Sequence, residues 1–165
     1  KLPMLTTPDQ SKNGITSGGT DDVHPIGVSA CLLGENCKYN GGNNRNEALI
    51  GWLGSRDVVP VCPEVMGGLP TPRPPAEMVD GVVQTADGSS VDKEFHDGAQ
   101  IAEEKLRASG AGLVILQSRS PSCGARQIYD GTFTGTLIDG EGTFARQLRA
   151  HGYEVLDVSE FEEQR

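Results

Sequence analysis

Three short apolar runs in this chain each lead towards a cysteine. Ile26-Gly-Val-Ser-Ala30 runs into Cys31, Val58-Val-Pro-Val61 runs into Cys62, and Leu113-Val-Ile-Leu116 ends just before the segment that carries Cys123. Runs this short and this continuously apolar are what strands buried on both faces look like. If the three are neighbouring parallel strands, three thiols distant in sequence meet at one edge of one sheet. The crevice beyond the carboxyl ends of the strands is where open α/β folds bind ligands. One pattern therefore constrains both the architecture and the place of any chemistry.

The segments between the runs carry helical signals. Asn44 to Leu53 reads as a short helix, with Asn43 or Asn44 as its cap and Leu49, Ile50, Trp52 and Leu53 on its apolar side. Asp92 to Ser109 places Phe95, Ala99, Ala102 and Leu106 on one helical stripe and stops at Gly110. Thr143 to His151 carries Phe144 and Leu148 and stops at Gly152, and Tyr153 to Val158 reads as a last strand. Asp57 to Cys62 is the strand around Pro60, a residue that removes a ladder donor. Pro63 to Glu77, with five prolines (63, 70, 72, 74 and 75), reads as one long loop. Val82 to Val91 resembles a hairpin turning at Asp87-Gly88, and Gln127 to Phe133 a second hairpin or turn with Asp130-Gly131 at its tip. Strands alternating with helices predict an α/β fold: a mostly parallel, open, Rossmann-like sheet with helices on both faces. The expected single domain spans residues 25–165, and residues 1–24, rich in Gly, Ser, Thr, Asp and Pro, are expected to be a flexible leader, in part expression-derived.

Charge and cysteine usage narrow the function. A formal net charge of -9 over 165 residues argues against duplex nucleic acid or an anionic membrane as partner, and leaves open a nucleotide-sized ligand held by a few local arginines. The four cysteines are separated by 6, 25 and 61 residues, which fits neither a zinc ribbon nor a secreted disulfide framework. Reduced thiols in a cytoplasm are the expectation. No apolar run approaches the roughly 20 residues that span a bilayer.

Cys31, Cys62 and Cys123 are the candidate metal ligands. Thiolates select zinc, cuprous copper or iron–sulfur clusters. Structural zinc wants a fourth protein ligand, and the one histidine near any of the three is His24. An iron–sulfur cluster on three cysteines leaves one iron open to water or substrate. Cys37 is the odd thiol, either a fourth ligand or an inert loop residue. Glu64 follows Cys62 by two residues, and a carboxyl in a dry pocket can act as general acid or base near neutral pH. Ser122 precedes Cys123 and is suited to position substrate or water; Ser120 and Ser29 are further candidates of the same kind. Arg73 and Arg119 are the local cations for a ligand phosphate or carboxylate. Tyr39 and Tyr129 read as packing residues, and His96 and His151 receive no catalytic role.

The motifs then become specific. Val28-Ser-Ala-Cys-Leu-Leu-Gly34, Cys37-Lys-Tyr-Asn-Gly41, Val61-Cys-Pro-Glu-Val-Met-Gly-Gly-Leu-Pro70 with Pro72-Arg-Pro-Pro-Ala-Glu77, Ser118-Arg-Ser-Pro-Ser-Cys-Gly124 and Ile128-Tyr-Asp-Gly-Thr-Phe133 occur in this order. Together they resemble the DUF523 family, whose characterised single-domain members are thiouracil desulfurases. The resemblance runs from about residue 26 to 158. It implies a [4Fe-4S] cluster on three cysteines, which map onto Cys31, Cys62 and Cys123. It further implies non-redox conversion of the C=S of a thiouracil or thiouridine nucleotide to C=O and strengthens the reading of Glu64; Ser122 beside the reacting group and Arg73, Arg119, Ser29 and Ser120 around the substrate stay the candidates named from their local positions. A non-catalytic iron–sulfur sensor or sulfide carrier is the alternative reading.

Overall fold

The computed structural model describes residues 24–163, so the leader expected over residues 1–24 lies outside the described residues except for His24. The elements run β1 (Ile26–Ser29), a 3-10 turn (Ala30–Leu33), α1 (Glu47–Leu53), β2 (Val58–Val61), α2 (Pro63–Met66), β3 (Ala76–Val79), β4 (Val82–Thr85), α3 (Asp92–Ser109), β5 (Leu113–Leu116), β6 (Gln127–Tyr129), β7 (Leu137–Asp139), α4 (Thr143–Ala150), β8 (Glu154–Asp157) and α5 (Val158–Glu163). The central sheet is four-stranded and parallel, in the order β2-β1-β5-β8. From β1 the chain moves outward to β2 and later crosses to β5 on the other side. Strand order therefore reverses between β1 and β5, the switch point at which α/β sheets open a crevice.

Both faces of the sheet are covered, as the continuous apolar runs require. On one face α3 and α4 set Ala99, Ala102, Leu106, Phe144 and Leu148 against Val59, Val61, Val114, Leu116 and Val155. On the other, Leu49 and Leu53 of α1 and Phe161 of α5 pack on Ile26, Val28, Leu113, Ile115 and Leu156. Full burial of each large apolar side chain contributes about 1.5–3 kcal/mol. Gly27 is a matter of clearance, since a Cβ there would lie 2.6 Å from Leu106 Cδ2. Its absence lets α3 rest directly on the central strand.

Several local expectations change. Ala30 and Cys31 leave the strand and form the 3-10 turn, which Gly34 ends at φ 102°. Helix α1 starts at Glu47 and is capped by Asn46, whose side chain accepts from Leu49 N at 2.9 Å. Asn43 and Asn44 are engaged elsewhere, on Asn36 and Arg45 and on Cys31 respectively. Pro60 is tolerated because β2 is an edge strand. Pro63 opens a short helix where a loop was expected, since proline at the first helical position lacks only an N–H that would be orphaned anyway. Ala76–Val79, read as the end of that loop, pairs with β4 through a turn at Asp80-Gly81. The Asp87-Gly88 turn exists, and folds residues 89–91 back on β4 through the Gln84–Ser90 bridge, with Thr85 N donating to Ser89 O and Val91 N to Val83 O. The second hairpin pairs β6 with β7 across a longer connection than Asp130-Gly131 alone. Val158, expected in the last strand, begins α5. No described helix is long and apolar enough to cross a membrane.

Candidate active site

Three of the four strands of the sheet, β1, β2 and β5, lead into cysteines at the same edge. Cys31 lies in the turn after β1, Cys62 is the N-cap of α2 after β2, and Cys123 lies in the loop after β5. They line one cavity of about 620 Å³ together with Cys37, Ser29, Glu64, Arg73, Arg119, Ser120 and Ser122. Every residue singled out from the sequence for binding or chemistry thus borders the same space.

Cys37 is no bystander. Its thiol lies near enough to those of Cys31 and Cys62 to shift its own titration and that of Cys62, and its carbonyl oxygen accepts from the Cys62 thiol at 3.9 Å and from Arg73 Nη2 at 2.8 Å. The Cys31 thiol helps push the Cys37 thiol up to about 11, and the Cys37 thiol is the main cause raising Cys62. Burial pushes Cys123 up to about 12. Without a bound cation these thiols therefore keep their protons near neutrality, and metallation must displace them. Asn44 Nδ2 donates to Cys31 Sγ at 3.6 Å, a contact that the sequence did not signal. Among the described residues no three Cys, His, Asp or Glu side chains are grouped closely enough for a single metal ion. Ligands to a cluster bind separate irons and need not converge on one point.

Glu64 and Ser122 come together from positions 58 residues apart. Ser122 Oγ donates to Glu64 Oε2 at 2.8 Å, lies 3.7 Å from Cys123 Sγ, and is 2.9 Å from Ser120 Oγ. The other carboxylate oxygen, Oε1, receives Arg73 Nε and Nη2 at 3.0 Å each. This pair is dry, with Arg73 5% and Glu64 15% exposed at the side chain. Arg73 is further tied to Pro70 O and Thr71 Oγ1, so its guanidinium faces protein on every edge. Arg119 differs. It is exposed at the cavity with φ 68°, and its side chain has no partner among the described residues. Ser29 Oγ accepts from Gln117 N at 2.9 Å, joining the ends of β1 and β5 beside Cys123.

Two structural devices hold these groups in place. The loop after β5 is anchored at both ends by buried Asp157, which accepts from Ser118 Oγ at 2.5 Å and from Ala125 N at 3.1 Å. Its middle is gripped by the start of α4, where Thr143 N donates to Pro121 O and Phe144 N and Ala145 N donate to Ser122 O. The Cys62–Glu64 corner is set by glycine-to-glycine contact between α2 and α3. A Cβ on Gly98 would overlap the Pro63 carbonyl oxygen, and one on Gly67 would overlap that of Glu94. The sequence pattern missed Asp157, because a polar residue ending a short strand looks like an ordinary strand end.

Comparison with known proteins gives a consistent picture. A profile of the 2-thiouracil desulfurase family matches residues 26–160. The uncharacterized protein YbbK of Bacillus subtilis is 37% identical over 143 residues, covering 81% of this chain and 95% of its own length. A solved structure of the [4Fe-4S]-dependent thiouracil desulfidase TudS superposes with a TM-score of 0.80 at 40% identity, covering 85% of this chain and 94% of that one.

Proposed function

This chain belongs to the 2-thiouracil desulfurase family, and from that premise we propose that it removes sulfur hydrolytically from a thiolated pyrimidine base or nucleotide. Overall, C=S and water become C=O and hydrogen sulfide, with no net electron transfer. The observation that carries this reading is the 2.8 Å hydrogen bond between Ser122 and Glu64 inside the cavity that the cysteines line.

The donor set fits an iron–sulfur cluster. Thiols line the wall, no histidine borders the cavity, and thiolate is the ligand such clusters select. Cys31, Cys62 and Cys123 would hold a [4Fe-4S] cluster, with Cys37 adjacent to two of them. When bound, the cluster supplies a Lewis-acidic iron with affinity for the thiocarbonyl sulfur.

The remaining work falls to the side chains. Glu64 Oε2 takes a proton from the attacking water, through Ser122 or directly, and returns it to the departing sulfur. Ser120 backs Ser122, its Oγ accepting the Ser122 and Cys123 N–H groups at 3.0 Å each. Arg73 holds Glu64 in one orientation and keeps its charged form compensated. Arg119 is a cation at the cavity available to a substrate phosphate, and Ser29 lies beside Cys123.

Anaerobic reconstitution followed by incubation with 2-thiouracil tests the proposal. Uracil and hydrogen sulfide should appear in equal amounts. Protein that carries its full complement of iron and sulfide yet makes neither product would leave a sensor or carrier as the better description.

A further inference from the structure

Phe133 stands in an unusual place. It lines the cavity, it is only partly buried, and its backbone lies in the left-handed region at φ 58°. A bulky residue seldom adopts that conformation, which glycine would have relaxed. Such a position persists only where the surroundings over-determine it.

Here they do. Glu77 Oε1 accepts both Gly131 N at 2.9 Å and Phe133 N at 3.1 Å, pinning the β6–β7 connection onto β3. Gly131 allows the approach, with φ 93° and room for no Cβ, which would lie 2.5 Å from Met78 O. Asp130 closes the same turn on Thr132 and Thr136. A carboxylate on β3, 56 residues before Phe133 in the chain, thus holds the backbone of one aromatic residue at a cavity whose proposed occupant is a flat heteroaromatic ring.

We propose that Phe133 is the platform on which the pyrimidine ring lies, that it sets the preference for ring thiocarbonyls over non-aromatic ones, and that Glu77 is the residue that positions it. This rests on the desulfurase reading and adds to it the element that recognises the ring. An aromatic face suits any pyrimidine because stacking needs no hydrogen-bond pattern.

The test uses the cluster-loaded full chain, with Phe133→Gly and Phe133→Tyr beside Glu77→Ala. Phe133→Gly should raise KM for 2-thiouracil and the Kd for uracil about tenfold or more, while kcat and the cluster's electron paramagnetic resonance spectrum stay the same. Its Tm should hold or rise, because glycine releases the strained φ. Phe133→Tyr should restore binding, and Glu77→Ala should shift KM in the same direction by a smaller factor. Turnover of thioacetamide, which has no ring, should not respond. Unchanged KM and Kd in Phe133→Gly with a lowered Tm would make Phe133 a packing residue and overturn the inference. Wild-type protein that holds its cluster and neither converts 2-thiouracil nor binds uracil would overturn the desulfurase reading, and this inference with it.

Discussion

Two carboxylates at the same edge of the sheet, Asp157 fully buried and Glu64 partly so, have opposite surroundings. At the β8 corner, Asp157 accepts four hydrogen bonds, from Ser118 Oγ, Ser159 N and Ser159 Oγ on one oxygen and from Ala125 N on the other. It does not border the cavity. At the β2 corner, Glu64 gives one oxygen to Arg73 and the other to serine hydroxyls that face the cavity. Backbone donors and hydroxyls locked into a loop cannot exchange a proton without loosening the loop. Hydroxyls at a cavity wall can rotate and donate elsewhere. The comparison teaches that burial alone does not suit a carboxylate to proton transfer; the freedom of its donors does.

The sharpest way to break this contrast is Glu64→Gln. It keeps an acceptor for Arg73 and removes the proposed base. Cluster content should stay at the wild-type level while kcat falls by about 10²–10⁴-fold; wild-type turnover would remove Glu64 from the chemistry. Next comes Gly98→Ala, which touches no reacting group. Its Cβ would overlap the Pro63 carbonyl oxygen, so α2 must move and carry Cys62 and Glu64 with it. Denaturant titration should show a loss of about 1–3 kcal/mol, and turnover should drop with it. If activity were intact at that cost in stability, α2 placement would not control the site.

Asp157→Asn probes the other corner. Removing a buried charge that four donors face should cost about 2–3 kcal/mol, with a smaller loss of kcat than Glu64→Gln causes. Its pH dependence follows from the sign of the shift. Burial pushes Asp157 up, but the hydrogen bonds from Ser118, Ser159 and Ala125 outweigh it and hold the carboxyl below its ordinary value of 3.8. Its contribution is therefore complete above about pH 4 and fades as the pH falls through the lower folded value. In thermal melts, the gap between wild type and Asp157→Asn should narrow below that pH; a constant gap would mean that the carboxylate charge is not what the loop uses. The smallest effect belongs to Arg119→Ala. It should raise KM by about three- to tenfold for a thiouridine monophosphate and leave 2-thiouracil unaffected, as expected for an exposed cation meeting a phosphate. An equal effect on both substrates would place Arg119 elsewhere in the reaction.

Much of this was legible in one dimension. The span of α3 matches its periodicity and its glycine stop, because a helix that buries Phe95, Ala99, Ala102 and Leu106 on one stripe writes its period directly into the chain. The apolar runs read as strands for the same reason, and Glu64 and Ser122 stand out as candidates by their places beside Cys62 and Cys123, at the cavity that the structure gives them. Arg73 was legible as a cation near the site, but not as the partner of Glu64, which lies nine residues before it. Helix α2 and strand β3 were hidden by prolines that sit just inside or just before an element rather than breaking it. Asn44 and Glu77 carried no local signal, since an amide or carboxyl in a loop looks the same whether it faces water or a partner.

By itself the sequence determined the layered α/β plan and sent three thiols to one edge, since burial of both sheet faces and the strand-to-turn boundaries are local consequences of apolar pattern and glycine placement. Only the tertiary structure decided which polar groups face the cavity and which brace it. That choice depends on hydrogen bonds between segments tens of residues apart, such as Ser122 to Glu64 and Ser118 to Asp157. A buried polar atom must find a partner, and the fold alone determines which one is within reach.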